Sequence, residues 1–118
     1  MDRRAALSLL LILLVVAAGT VFVLDSEARR RAIAAEETRL QTELAASECV
    51  TTYGTSATVS DESASVVGRS LDGWTVRVSH PYWYSTNRSH ADGSSESVYV
   101  VGPESVRYAG GEPVGPAC

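Results

Sequence analysis

The longest apolar run of the chain lies near its beginning. Residues 5–24 read AALSLLLILLVVAAGTVFVL and contain no charged side chain. At about 1.5 Å per residue, an α-helix of this length spans roughly 30 Å, the thickness of the hydrocarbon core of a bilayer. The pattern predicts a transmembrane helix at residues 5–24 with a short cytoplasmic tail at residues 1–4. The predicted partner of this segment is the lipid bilayer.

A cleaved secretory signal peptide is the alternative interpretation of the same run. The apolar core of a signal peptide is typically about 7–15 residues long and ends at small residues, which Ala17-Ala18-Gly19 would supply. The apolar stretch continues past them through Val21-Phe22-Val23-Leu24, which a signal peptide does not need. We therefore expect an uncleaved anchor and a single-pass protein of the cell membrane.

The pattern changes to that of a soluble helix after the apolar run. Residues 25–48 are rich in Ala, Glu, Arg and Leu and contain no Gly or Pro, which predicts a helical stalk. Ile33, Leu40 and Leu44 fall on one stripe that Glu37 interrupts, and this stripe is too short for a strong coiled coil. We expect the stripe to cover one face of a β-sheet. A partner helix or a solvated stalk are the alternatives.

The remainder, residues 49–118, is dominated by Ser, Thr, Val, Tyr and Gly and predicts an extracytoplasmic β-domain. Asp72-Gly73 separates two β-rich runs and is the preferred pair for a type I′ hairpin turn. Such a turn places Leu71 opposite Trp74 and Val67 opposite Val78. Strands are expected at 63–71, 74–84, 96–101 and 105–109, with a short one at 58–60, a looser connection at 85–95 and an irregular tail at 110–118. The predicted fold class is α+β, with an antiparallel meander of four or five strands.

Two cysteines, Cys49 and Cys118, bracket the predicted β-domain. A domain of this size is marginally stable alone, and a disulfide closing the loop would contribute roughly 4 kcal/mol in the chain-entropy model. We predict this disulfide, with two free thiols as the alternative.

Two kinds of sequence signal disagree about the orientation of the anchor. The predicted disulfide and the Asn87-Arg88-Ser89 sequon, a candidate glycosylation site at Asn87, favour a domain on the extracytoplasmic side. Basic residues favour the opposite, because Arg29, Arg30 and Arg31 outnumber the arginines before the apolar run. We expect the extracytoplasmic placement.

Few residues suggest chemistry. His80, His90 and Asp92 lack the spacing of metal ligands, and neither a Gly-x-Ser-x-Gly motif nor a Gly-rich phosphate loop occurs. We expect no catalytic residue, no metal and no cofactor.

The aromatic run Tyr82-Trp83-Tyr84 is the candidate interaction site. Consecutive strand residues point to opposite faces, so at least one ring is expected outside the core, where aromatic side chains often anchor interfaces. Pro81 cannot donate to a ladder, which predicts a sheet edge or a bulge there. The alternative is that the three rings pack beneath the stalk.

The charge composition adds two points. A net charge of −4 argues against a nucleic-acid-binding protein of the basic-patch kind. All 10 basic residues are Arg, and this usage, with many Ala, Val, Ser, Asp and Glu residues, resembles that of short membrane-anchored proteins of halophilic archaea. A GC-rich genome without salt adaptation explains it equally.

The layout of the chain resembles that of type IV pilins, which join a basic start, an apolar helix, a helical stalk and a disulfide-tied antiparallel sheet. Arg3-Arg4-Ala5 resembles their leader junction. The family usually has a glutamate near its mature start, whereas Asp2 is the only acidic residue before Asp25.

Three functions are therefore consistent with the sequence. The first is a membrane-anchored extracytoplasmic interaction or accessory domain without catalysis, whose protein partner binds the transmembrane helix, the stalk or the aromatic edge. The second is a pilin-like filament subunit. The third is a small subunit of a membrane complex, in which Ala17, Ala18 and Gly19 allow close helix packing.

Overall fold

One helix contains both the predicted anchor and most of the stalk. The computed structural model describes residues 2–56 and 61–118, apart from the side chains of residues 18–23. Helix α1 (Arg3–Ala46) is continuous. It begins after Asp2, whose Oδ1 accepts a hydrogen bond from the Arg4 backbone at 3.5 Å, and it ends before Ser47, whose N–H donates to the Leu44 carbonyl.

Within the described part of the chain, no helix combines the length and apolar character that a bilayer crossing requires. The span predicted at residues 5–24 includes the side chains of residues 18–23, which lie outside the described set.

The rest of the described chain forms one antiparallel sheet, and the fold class is α+β. Its strands are β1 (Thr52–Gly54), β2 (Ser63–Ser70), β3 (Gly73–Ser85), β4 (His90–Val101) and β5 (Val106–Gly111). Strands β2 to β5 pair in chain order, which confirms the predicted meander. Strand β1 pairs with the far end of β3, on the same edge as β2. The strand predicted at 58–60 lies outside the described residues.

The predicted register of the first hairpin is wrong. Ser70 pairs with Gly73, so the two-residue loop is Leu71-Asp72 rather than Asp72-Gly73. A type I′ turn needs a positive φ at both loop residues, but among the described residues only glycines have positive φ, and here it is Gly73, at 129°. The shift carries Leu71 out of the core. A bulge between Val66 and Gly68 adds a one-residue slip, which exchanges the two faces of the strand. Val66 therefore pairs with the buried Val76, and Val67 is exposed.

Strand β4 begins earlier than the sequence predicts. Its first half, His90–Ser95, contains turn-forming residues and was expected within the connection at 85–95, yet it pairs with β3 throughout. Gly93 lies directly against the Tyr82 ring, since a Cβ there would be 3.3 Å from Tyr82 Cζ. Pairing with the long β3 therefore overrides the weak strand preference of this segment.

Pro81 lies at a break in the ladder, as the sequence predicts. On the β1/β2 edge of β3, the β2 pairs begin at Ser79 and the β1 pairs end at Trp83. Pro81 falls between them and is paired on the β4 side only, with Ser94. A residue without a backbone N–H is tolerated at such a position.

The second half of α1 covers one face of the sheet, as predicted, but through a different line of residues. The buried positions recur every four residues, at Ala28, Ala32, Glu36, Leu40 and Leu44. Ile33 and Glu37, which the sequence placed on the stripe, are half-buried beside it. The small side chains of Ala28 and Ala32 allow the helix to approach the sheet closely. The core cluster that they form includes Val76, Val78, Tyr99 and Val101.

The predicted disulfide is confirmed. Cys49 and Cys118 are bonded, with their Cα atoms 5.8 Å apart, so the end of the helical segment is tied to the tail after β5. The tail beyond Gly111 has no regular secondary structure, in agreement with its Gly and Pro content.

Candidate functional site

The first candidate is the apolar surface on the first half of α1. The large apolar side chains from Leu7 to Val16 are 51–67% exposed. The molecule extends 76 Å along its longest axis and only 27 Å along the next, because this half of the helix projects beyond the sheet. Contiguous apolar surfaces of this kind mark contact with a membrane or a protein partner.

The base of the β-domain lies where this surface ends. The Arg69 guanidinium donates to the Asp25 carboxylate, with Nε 3.1 Å from Oδ1. Hydrogen bonds from Arg69 and Trp74 hold the pKa of Asp25 below its ordinary value. Arg31 donates to the Gly102 carbonyl at 2.7 Å. These contacts attach the β2–β3 and β4–β5 turns of the sheet to the helix just after Leu24.

A mainly apolar groove of about 370 Å³ opens at this base. Its apolar lining comes from Leu24, Trp74, Val101 and Pro103. The charged residues Glu27 and Arg31 also line this groove. Tryptophan is enriched at membrane–water interfaces, where an apolar and a polar environment meet.

A buried polar cluster holds the middle of α1 against the sheet. The fully buried Glu36 carboxylate accepts hydrogen bonds from Arg39 Nε at 2.6 Å, from Ser95 Oγ at 2.9 Å and from Tyr99 OH at 2.9 Å. Arg39 also donates to Ser97 Oγ at 2.8 Å, and its guanidinium lies 4.9 Å from the centre of the Tyr108 ring. Among the described residues, every buried side-chain polar atom has a hydrogen-bond partner.

The electrostatics of this cluster keep it ionised as a pair. Burial raises the pKa of Glu36, but the hydrogen bonds from Arg39 and the neighbouring hydroxyls outweigh it, so the net shift is downward. Burial and the hydrogen bond to Glu36 raise the pKa of the Tyr99 phenol. The Glu36 carboxylate also raises the pKa of Arg39 despite its burial. Because its lone pairs and donors are already used within the protein, the cluster is suited to fixing the helix on the sheet.

The sequence did not reveal this cluster. In the sequence, Glu36 and Arg39 form only an i,i+3 pair on one helix, because three of their partners lie on strands about sixty positions further along the chain. One signal was available: Glu36 continues the four-residue spacing of Leu40 and Leu44 toward Ala32, so a charged side chain occupied a core position.

The structure does not bring the three predicted aromatic residues together on one surface. Tyr82 and Tyr84 lie on the helix-facing side of β3 with their rings stacked at 6.3 Å. Trp83 lies on the opposite face, 5.8 Å from the His90 ring, and covers Gly54, where a Cβ would be 2.4 Å from Trp83 Nε1. All three are half-buried.

Asn87, the candidate glycosylation site, is exposed in the four-residue loop between β3 and β4. Thr86 Oγ1 accepts hydrogen bonds from the backbone N–H groups of Arg88 and Ser89, at 3.2 and 3.1 Å, and this orders the loop. The geometry leaves the Asn87 side chain accessible to a modifying enzyme.

The two histidines are separated by the sheet. His80 is buried, and its Nδ1 lies 2.9 Å from the Pro81 carbonyl oxygen. His90 lies on the open face, with Nδ1 2.8 Å from Ser85 Oγ and Nε2 3.5 Å from Asp92 Oδ2. This order of groups is that of a hydrolase triad, but the carboxylate that orients a catalytic histidine is buried, whereas His90 and Asp92 are both exposed.

No group of three or more His, Cys, Asp or Glu side chains is placed to hold a metal ion within the residues described.

Comparison of the chain with protein-family models, curated proteins and solved structures found no match.

Proposed function

We propose that this chain is a single-pass membrane protein that presents a non-catalytic interaction or accessory domain on the extracytoplasmic side. The observation that carries the proposal is the exposed apolar surface from Leu7 to Val16 on α1, a helix that continues without interruption into the part that packs on the sheet. Water is a poor solvent for such a surface, whereas the hydrocarbon core of a bilayer suits both its side chains and its helical backbone.

The disulfide supports the extracytoplasmic side. Disulfides form and persist in oxidising compartments and are rare where cellular thiols are kept reduced. Cys49–Cys118 closes nearly the whole β-domain. The accessible sequon at Asn87 agrees with the same side of the membrane.

Membrane fractionation tests the anchor. We expect the full-length protein to stay with membranes after alkaline carbonate extraction. Leu13→Arg places a charge within the proposed span, costs about 3 kcal/mol of insertion free energy at the bilayer centre and should move protein to the extract. Ala34→Arg on the exposed side of the sheet-bound half of α1 is the matched control and should not. Complete extraction of the wild type would exclude the anchor.

An interaction role needs a partner, and the aromatic residues are the proposed contact. Purification in mild detergent, followed by quantitative mass spectrometry, should recover a stoichiometric partner with the wild type and less of it with Tyr84→Ser. Equal recovery of the partner by the two proteins would indicate that the partner binds the helix and not the aromatic residues. Hydrolase or transferase activity in the purified protein would contradict a non-catalytic role.

A pilin-like filament subunit is the second candidate. The observation that favours it is a single long helix that exposes apolar side chains from Leu7 to Val16 and packs its second half on a disulfide-closed antiparallel sheet. Mass spectrometry of the native N-terminus separates the candidates. Cleavage beside Arg4 would favour the filament, whereas an intact Met1 or Asp2 would favour the anchored accessory domain.

A further inference from the structure

The two-residue loop of the first hairpin, Leu71 and Asp72, is called the hairpin tip below. Leu71 is 108% exposed, so its whole side chain projects into the surroundings. Tight turns favour Gly, Asn, Asp, Ser and Pro, each for a conformational reason that leucine does not share. Neither turn geometry nor core packing accounts for a leucine here.

The position of the hairpin tip along the molecule is set by contacts between helix and sheet. Strand β3 runs beside α1 in the same direction, because Asp25 meets Arg69 near the start of β3, and Glu36 meets Ser95, the partner of His80, further along. The hairpin tip therefore projects from the end of the sheet nearest the apolar half of α1.

Backbone dimensions give the level that the hairpin tip reaches. It lies about two strand positions beyond Trp74, or on the order of 7 Å at the usual rise of a strand. The same distance along a helix is roughly one turn, so the hairpin tip is level with the last turn before Asp25. That turn ends the span proposed to lie in the bilayer.

The side chains around the hairpin tip suit an interface between lipid and water. The groove lined by Leu24, Trp74 and Pro103 opens at the same end of the domain, and Asp72 beside Leu71 provides a polar rim. Arg69 and Asp25 form an ion pair beside the hairpin tip, so these two charges neutralise each other.

We propose that the hairpin tip is a second membrane contact, in which Leu71 enters the interfacial layer of the bilayer beside the anchor helix. The inference rests on the membrane anchor proposed above. Its consequence is orientation: a helix alone leaves the domain free to rotate and tilt, whereas a second contact fixes which face of the sheet is turned away from the membrane.

Fluorescence quenching tests the proposal on the full-length chain. Trp74→Phe with Trp83→Phe removes the native tryptophans, and Leu71→Trp then reports the environment of the hairpin tip. Val67→Trp in the same background is the matched control, because Val67 is also exposed on this hairpin but further from its tip. Both proteins are reconstituted in phosphatidylcholine vesicles whose acyl chains are brominated near the headgroup.

We expect the Leu71→Trp protein to show blue-shifted emission that the brominated lipid quenches, and the Val67→Trp protein to show neither. Because tryptophan itself favours interfaces, a second measurement keeps leucine in place: with Trp83→Phe alone, Trp74 should be quenched, and Leu71→Ser should reduce that quenching. Circular dichroism and an intact disulfide verify folding of each variant.

The outcomes separate this proposal from the anchor. If the protein fails to float with the vesicles, the anchor is wrong. If it floats but Leu71→Trp is no better quenched than Val67→Trp, or Leu71→Ser leaves Trp74 quenching unchanged, the second membrane contact is wrong and the anchor stands.

Discussion

Glu36 combines complete burial with a full negative charge. Removing one member of a buried ion pair leaves its partner uncompensated, which typically costs about 3–5 kcal/mol. We expect Glu36→Gln to lower the free energy of unfolding at pH 7 by about 3 kcal/mol, because Arg39 keeps its burial but loses its buried counter-charge and retains only the exposed carboxylate of Glu43. Denaturant unfolding of the full-length protein in detergent micelles measures this loss.

Glu43→Gln is the matched control, since Glu43 also accepts a hydrogen bond from Arg39, at 3.0 Å, but is 41% exposed. Surface pairs are typically worth about 0–1 kcal/mol, so this variant should remain near the wild type. Equal losses in the two variants would show that burial of Glu36 does not govern the interaction.

The acid dependence of stability follows from the same carboxyl. Its folded-state pKa lies below the ordinary value of 4.5, so the stabilisation is present above pH 4.5 and is lost as the pH falls through the folded-state pKa. We expect the stability difference between wild type and Glu36→Gln to shrink over that acidic range. If the difference in unfolding free energy between the two proteins stays constant to the lowest pH measured, ionisation of Glu36 is not the source of the stabilisation.

Individual residues also show what the sequence could reveal. Cys49 and Cys118 were predicted as a pair because they stand at the two ends of one small domain. The four-residue spacing places Glu36 at a core position, but its hydrogen-bond partners could not be predicted, because they depend on how α1 is placed along β4. The exposure of Leu71 was equally hidden, since it depends on the register of a turn.

At the scale of elements, the helix and most of the meander follow from local pattern, and the errors lie where pairing overrides it. The polar first half of β4 becomes a strand because β3 offers a long partner. The first hairpin closes one residue earlier than Asp72-Gly73 suggests because the glycine serves at the start of the strand rather than in the loop.

Gly73 is the first residue of β3 and pairs with Ser70 across the hairpin. Its φ of 129° is unfavourable for other residues, and a Cβ would lie 2.1 Å from the Val101 carbonyl oxygen. Since strained backbone positions cost about 1–3 kcal/mol each, we expect Gly73→Ala to destabilise by about 2 kcal/mol or more. Thermal unfolding followed by circular dichroism measures the change.

Gly68→Ala on the neighbouring strand is the control for that substitution. A Cβ at Gly68 meets Thr75 at an ordinary 3.6 Å, so the variant should equal the wild type or gain up to about 0.5–1 kcal/mol from reduced backbone freedom in the unfolded chain. A Gly73→Ala protein as stable as the Gly68→Ala protein would mean that the hairpin accommodates a side chain at its first β3 position.

At the scale of the whole molecule, α1 is attached to the sheet at three levels. The Asp25–Arg69 pair lies at the end nearest the exposed apolar part of α1, the Glu36 cluster lies in the middle, and the disulfide lies at the far end, where a Cβ at Gly115 of the tail would lie 3.3 Å from Leu44. The levels differ in chemistry, so they can be removed separately. Only the far one depends on redox state.

Cys49→Ser with Cys118→Ser should therefore release the far end while leaving the middle in place. In the chain-entropy model, opening a loop of this length costs about 4 kcal/mol, comparable with the stability of a small domain. We expect a lower unfolding midpoint in micelles and faster amide hydrogen exchange around Leu44 than around Glu36.

A reductant should lower the wild-type midpoint to that of the variant and leave the variant unchanged. If reduced and oxidised wild type unfold together, the helix is held by its packing on the sheet and the disulfide adds nothing to the free energy of unfolding.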